Sequence, residues 1–156
     1  MAGPNITLYN QANSELVSTW TVGTVQAQTP SSELSVNIWN NKAGGTDVSD
    51  LKDCTITVLD SNGSTFTEEV AKNKWVQVNV KSVDGNDTTW TAIGGETTHA
   101  IKANTGVSDN SISGAKNDGN TAESKNCCTI KLRVNAPINA TPGSKQFKVR
   151  LTGYYT

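Results

Sequence analysis

The sequence predicts an all-β fold, an antiparallel β-sandwich with two long polar loops, and three observations carry that reading. Near the C-terminus, apolar side chains alternate strictly with charged ones. Cys128, Ile130, Leu132 and Val134, then Phe147, Val149 and Leu151, are interleaved with Lys131, Arg133, Lys148 and Arg150. A period of two marks half-buried strands, here expected to form an antiparallel pair with their charges in water. Ser, Thr and Asn supply 52 of the 156 residues, 21 of them Thr. Thr is β-branched and suits strands, whereas Ser and Asn populate turns. Helical periodicity is missing: no apolar pattern of period 3.6 runs beyond about two turns. The hydrophobic content of 35% matches sheets that keep one face wet.

In chain order, the candidate strands are residues 6–9, 16–25, 34–39, 54–59, 65–70, 75–83, 89–93, 98–103, 127–134 and 146–155. Segment 16–25 carries Leu16, Val17, Trp20, Val22 and Val25. Leu34-Ser-Val-Asn-Ile38 alternates cleanly, and Cys54-Thr-Ile-Thr-Val-Leu59 follows the same rule. Asp60-Ser-Asn-Gly63 separates two strand patterns, and Asn-Gly is a strong hairpin signal. The clearest strand is Val76-Gln-Val-Asn-Val80, with Val76, Val78 and Val80 on one face. Between the last two strands, Pro142 can preset a turn and Gly143 can take a positive φ, so the chain is expected to reverse there.

Two segments break this rhythm. Residues 40–53 form a polar connection in which 46–52 could make one helical turn, with Asp47, Asp50 and Asp53 spaced by three. Residues 104–126 are longer still, with Gly106, Gly114 and Gly119 among Asp, Asn and Ser. Structureless loops of this length are uncommon in compact domains and tend to be functional or mobile. Neither an internal repeat nor a linker composition marks a second unit, so residues 1–156 read as one domain, long enough to bury a core without staples.

Composition narrows the function. Net charge is −1 and the basic residues are scattered, so no stripe follows a phosphate backbone and nucleic acid is not an expected partner. No apolar run approaches the roughly 18 residues of a membrane span. Met1-Ala-Gly-Pro-Asn-Ile lacks the basic start and apolar stretch of a signal peptide. The three cysteines are odd in number and two are adjacent, a poor disulfide framework. Small apolar core residues are the preferred reading, although Cys54 could pair with Cys127 or Cys128. One histidine and no Cys-x-x-Cys pair argue against a metal centre or any other cofactor.

Chemistry-bearing residues are sparse. A Ser-His-Asp site would need His99, yet no Gly-x-Ser-x-Gly motif is present. Glu68 and Glu69 are neighbours and would point to opposite faces of a strand, the wrong geometry for a paired acid and base. Asp84-Gly-Asn-Asp87 reads as a turn rather than a calcium loop, because it lacks the terminal bidentate Glu. Of the four tryptophans, Trp20 and Trp75 sit in apolar surroundings and belong to the core. Trp39 and Trp90 are the two expected to be exposed.

Residues 34–39 running into Asn40-Asn-Lys-Ala-Gly-Gly45, the segment 51–63, and the ending Val134-Asn-Ala-Pro-Ile-Asn-Ala-Thr-Pro-Gly143 to Tyr155 together resemble immunoglobulin-like structural proteins of tailed bacteriophages. The resemblance is strongest to the capsid decoration, or cement, proteins of phages of Gram-positive hosts. It implies an immunoglobulin-like sandwich acting as a non-enzymatic virion protein on the outer capsid surface, made in the host cytoplasm. Its partner would be the major capsid protein lattice, engaged by many copies or by a homo-oligomer. The candidate contact residues are Trp39, Asn40, Asn41, Lys42, Asp47, Asp50, Trp90, Asp109 and Lys116. The competing expectation is a carbohydrate-binding or adhesion module of a phage tail or bacterial surface protein, with Trp39 and Trp90 as a stacking platform.

Overall fold

The computed structural model describes residues 1–120 and 125–156. Among these described residues, eight strands form two antiparallel sheets. They are β1 (Ile6–Asn10), β2 (Leu34–Asn40), β3 (Lys52–Asp60), β4 (Val76–Val80), β5 (Thr91–Ile93), β6 (His99–Ala100), β7 (Cys127–Val134) and β8 (Phe147–Tyr154). One sheet has the order β1-β2-β7-β4-β5, the other β6-β3-β8. Two single-turn helices, α1 (Glu69–Lys72) and α2 (Lys81–Asp84), flank β4.

Period-two patterning builds the core. Val36 and Ile38 of β2, Val76, Val78 and Val80 of β4, and Cys128, Ile130, Leu132 and Val134 of β7 share one face and meet Cys54, Ile56 and Val58 of β3. All of these are at most 5% exposed. Burying each such side chain contributes about 1.5–3 kcal/mol. On β8, Phe147, Val149 and Leu151 are only half-buried, because β8 is an edge strand. Lys148 and Arg150 are exposed as expected, while Lys131 and Arg133 are half-buried beside Trp90.

Four expectations need correction. β7 and β8 are not partners: β7 pairs with β2 and β4, whereas β8 pairs with β3. Alternation reports which face is buried, not which strand lies alongside, and residues 135–146 cross between the layers. Segment 65–70 is not a strand. The Asp60 carboxylate accepts the Thr67 and Glu68 N–H groups and the Thr65 and Thr67 hydroxyls, and the chain turns into α1 instead. Strand 75–83 stops at Val80, where the Val80 N–H donates to Asp84 Oδ2 at 2.9 Å as α2 begins. Segment 16–25 forms one bridge, Leu16 to Tyr9, and no strand.

That last segment becomes a strap. Val17 N donates to the Leu8 carbonyl at 2.9 Å, and at the far end of the strap Gln28 N donates to the Ala136 carbonyl at 2.7 Å. Gly23, with φ 81°, breaks the extended run between them. Trp20, Val22 and Val25 pack against the core from this strap, and Trp20 meets Phe147 edge to face with centroids 5.6 Å apart. A cleft of about 1420 Å³ opens between strap, sheets and crossover.

Candidate functional site

The two polar loops are one structure. Segment 109–117 runs against 43–54: Asn117 N donates to the Gly44 carbonyl, Val48 N to Gly114, Cys54 N to Asn110, and Leu51 and Ile112 exchange both bonds, all at 2.9–3.1 Å. Asparagine amides supply the rest. Asn41 Nδ2 donates to the carbonyls of Thr46 and Gly114, at 2.7 and 2.8 Å. Asn126 Nδ2 donates to those of Ser113 and Ala115, at 2.8 and 2.7 Å. Asn117 Nδ2 donates to the Asn41 carbonyl at 2.7 Å. Asp50 Oδ1 accepts the Gly114 N–H at 2.7 Å and Asp47 Oδ1 the Lys116 N–H at 2.8 Å. These side chains supply partners to loop carbonyls and N–H groups where regular ladder pairing is missing.

Two glycines permit the close approach. A Cβ on Gly114 would lie 2.2 Å from the Val48 carbonyl oxygen, and one on Gly44 would lie 1.9 Å from Asn41 Oδ1. Asn41 itself has φ 61°, a left-handed conformation that Asn tolerates better than most residues. The N-terminal segment joins the same face: Asn41 N donates to the Asn5 carbonyl and Ser49 N to that of Ala2, both at 2.9 Å. Asn5 N donates in turn to Asn40 Oδ1 at 2.9 Å.

The structure therefore sorts the predicted contact residues. Asn40, Asn41, Asp47, Asp50, Asp109 and Lys116 fall along this one ribbon. Asn40 and Asn41 are 0% and 5% exposed, so they hold the face together rather than present themselves on it. Asp47, Asp50, Asp109 and Lys116 are exposed. No helical turn forms at 46–52, because the Asp side chains reach across to segment 114–116 instead of capping locally. Lys42 lies 4.4 Å above the Tyr9 ring.

The tryptophan pair fails as a platform. Trp39 is 0% exposed, and its Nε1 donates to Asn13 Oδ1 at 2.9 Å. It does point away from Ile38, but the turn after β1 covers that face. Trp90 is half-buried at the opposite side of the same sheet, with the Arg133 guanidinium 4.1 Å from its ring centroid. Sequence reasoning also missed Asn117 and Asn126; their clustering with Asn40 and Asn41 becomes visible only when the loops meet.

His99 is 8% exposed, and both its ring nitrogens face oxygens: Nε2 meets Asp84 Oδ1 at 2.9 Å and Nδ1 meets the Ala100 carbonyl at 2.6 Å. The pair ties α2 to β6. Ser82, two residues from Asp84, donates its hydroxyl to the Lys102 carbonyl at 2.5 Å. Among the described residues, no group of three or more His, Cys, Asp or Glu could hold a metal ion, and no helix is long and apolar enough to cross a membrane. Comparison with protein-family models finds no match, and a search of curated proteins finds none either.

Proposed function

We propose that the chain is a non-enzymatic virion structural protein, an immunoglobulin-like capsid decoration module that docks through the face built from residues 41–51 and 109–117. The observation that carries this reading is the preorganisation of that face. Two long polar loops, which would cost ordering entropy if they were loose, are already fixed to each other by buried amides and carboxylates. A rigid polar face with exposed Asp47, Asp50, Asp109 and Lys116 suits a flat, repeated protein lattice. Individual polar contacts there are weak, so retention would come from many copies on the lattice. Bound copies would in turn stabilise the shell by mass action.

The test is co-sedimentation with capsids of the encoding phage assembled without this protein. Wild-type chain should saturate them. Lys116→Glu reverses an exposed charge on the ribbon without touching the core, and should weaken binding about tenfold or more. Lys148→Glu, on β8, should bind like wild type. If the ribbon variant saturates capsids normally, the docking face is wrong; if the wild-type chain ignores capsids, the function is wrong. Excising 104–126 is not a clean probe, because Ile112 and Asn126 within it are 1% and 0% exposed.

A further inference from the structure

The outer face of the five-stranded sheet is polar in rows. Tyr9, Asn37 and Thr129 are cross-strand partners in one row, Ser35, Lys131 and Asn79 in the next, and Arg133, Gln77 and Ala92 in a third. On one side rises the turn after β1, held down by Asn37 Nδ2, which donates to the Gln11 carbonyl at 3.2 Å and to Asn13 Oδ1 at 2.8 Å. On the other rise residues 81–90, where Asn79 Nδ2 donates to the carbonyls of Asn86 and Thr89 at 3.0 and 2.8 Å. Between these walls lies a groove of about 590 Å³, with Ser35, Asn79, Thr129 and Lys131 in its floor and Gln11 and Asp87 at its sides.

We propose that this groove binds a neutral oligosaccharide. The inference goes beyond capsid docking and does not rest on it. The volume lies in the range of roughly 300–1,000 Å³ usual for small-ligand sites, and three features of the lining select the ligand.

The first is fixed geometry. Asn104 Nδ2 donates to Thr129 Oγ1 at 3.1 Å, the Thr129 hydroxyl donates to Asn37 Oδ1 at 2.7 Å, and Asn104 Oδ1 accepts the Thr129 N–H at 2.9 Å. This part of the floor is set before any ligand arrives, which lowers the cost of binding. The second is an acceptor left over. Asn79 is 1% exposed and both bonds it makes come from Nδ2, so its Oδ1 is available to take an O–H. The Ser35 hydroxyl and the Gln11 amide, each donor and acceptor at once, complete the set. Sugar hydroxyls, which both donate and accept, match such a mixture.

The third is charge. Asp87 sits between the two lysines of the groove, 3.2 Å from Lys81 Nζ and 3.8 Å from Lys131 Nζ. An anionic ligand would have to displace that carboxylate, whereas a neutral one would not. Recognition here works through hydrogen bonds, not through the stacking pair that Trp39 and Trp90 would have made.

Titration calorimetry and saturation-transfer NMR with cellotetraose, maltotetraose and chitotetraose test the proposal, with tetragalacturonate as the anionic comparison. At least one neutral tetrasaccharide should bind with a Kd on the order of 1 mM or tighter. Gln11→Ala with Ser35→Ala should weaken it about tenfold, and Ser35→Arg, which fills the floor, should remove it. Both variants should keep the wild-type circular dichroism spectrum and wild-type capsid binding, so failure here is distinguishable from failure of the docking reading. No transfer from any neutral probe at about 10 mM would overturn the proposal. So would neutral binding that survives in the folded variants, or binding of tetragalacturonate alone.

Discussion

A single carboxylate, that of Asp60, organises the turn that follows β3. Its oxygens accept from Thr65 Oγ1 at 2.6 Å, from the N–H groups of Thr67 and Glu68 at 2.8 and 3.0 Å, and from Thr67 Oγ1 at 3.1 Å. Burial by itself would raise this carboxyl, but the four hydrogen bonds outweigh it and hold the group below the usual carboxylate range. A depressed carboxyl contributes stability that is fully present above its unfolded value, about 3.9 for Asp, and is lost as pH falls through the lower folded value. Glu69 behaves likewise: the Thr141 hydroxyl is the main cause of its lowered value, with the Thr141 N–H and Lys145 helping against desolvation. Asp60→Asn places an amide where only acceptors suit, and should lower the melting temperature by about 5 °C at pH 7. In melting curves from pH 7 to pH 2, the gap between wild type and variant should narrow below about pH 4. A gap that stays constant would show that the charge on Asp60 does not support the turn.

At the scale of elements, the strap at 17–27 separates sequence pattern from sheet membership. Val17, Trp20, Val22 and Val25 carry the apolar content of a strand, and those side chains do pack on the core. Among the described residues, however, the strap backbone makes no ladder bond of a strand beyond Leu16, apart from Val17 N to Leu8. Amides 18–25 should therefore exchange with solvent at least about a thousandfold faster than those of Ile130 to Arg133, which lie between two partner strands. Comparable protection in the two segments would mean that the strap pairs in solution. The same contrast explains what the sequence made legible. Strands whose alternation coincides with central pairing, such as β2, β4 and β7, were readable to within a few residues. Segment 65–70 was not, because the Asp60 carboxylate, five to eight residues upstream, takes the donors of Thr65, Thr67 and Glu68. The docking face was half legible: its polarity and length stood out, but its order comes largely from amide bonds between residues 73 to 86 apart in sequence. Trp39 was assigned to the correct face of β2, yet the turn that buries it there could not be seen from β2 alone.

The whole molecule is held by its core and its hydrogen bonds, with all three thiols free and buried. Cys127 and Cys128 are adjacent on β7 and so lie on opposite faces; Cys128 joins the core with Cys54, whereas Cys127 stands across from Trp39 on the outer face. Burial pushes the Cys54 thiol up to about 11 and those of Cys127 and Cys128 up to about 12, with the nearby hydrogen bonds offsetting only part of the effect. The thiolate is the nucleophile in exchange and oxidation, so groups this far above neutrality and out of solvent contact are inert while the fold persists. A thiol reagent such as dithionitrobenzoate should leave the native protein unlabelled over hours and titrate all three cysteines once denaturant is added. Melting temperatures with and without reductant should coincide, since no loop is closed by a disulfide whose loss would enlarge the unfolded ensemble. Rapid labelling of the native chain, or a melting temperature that drops by more than a few degrees in reductant, would mean that the core is looser, or differently bonded, than the packing of Cys54 and Cys128 requires.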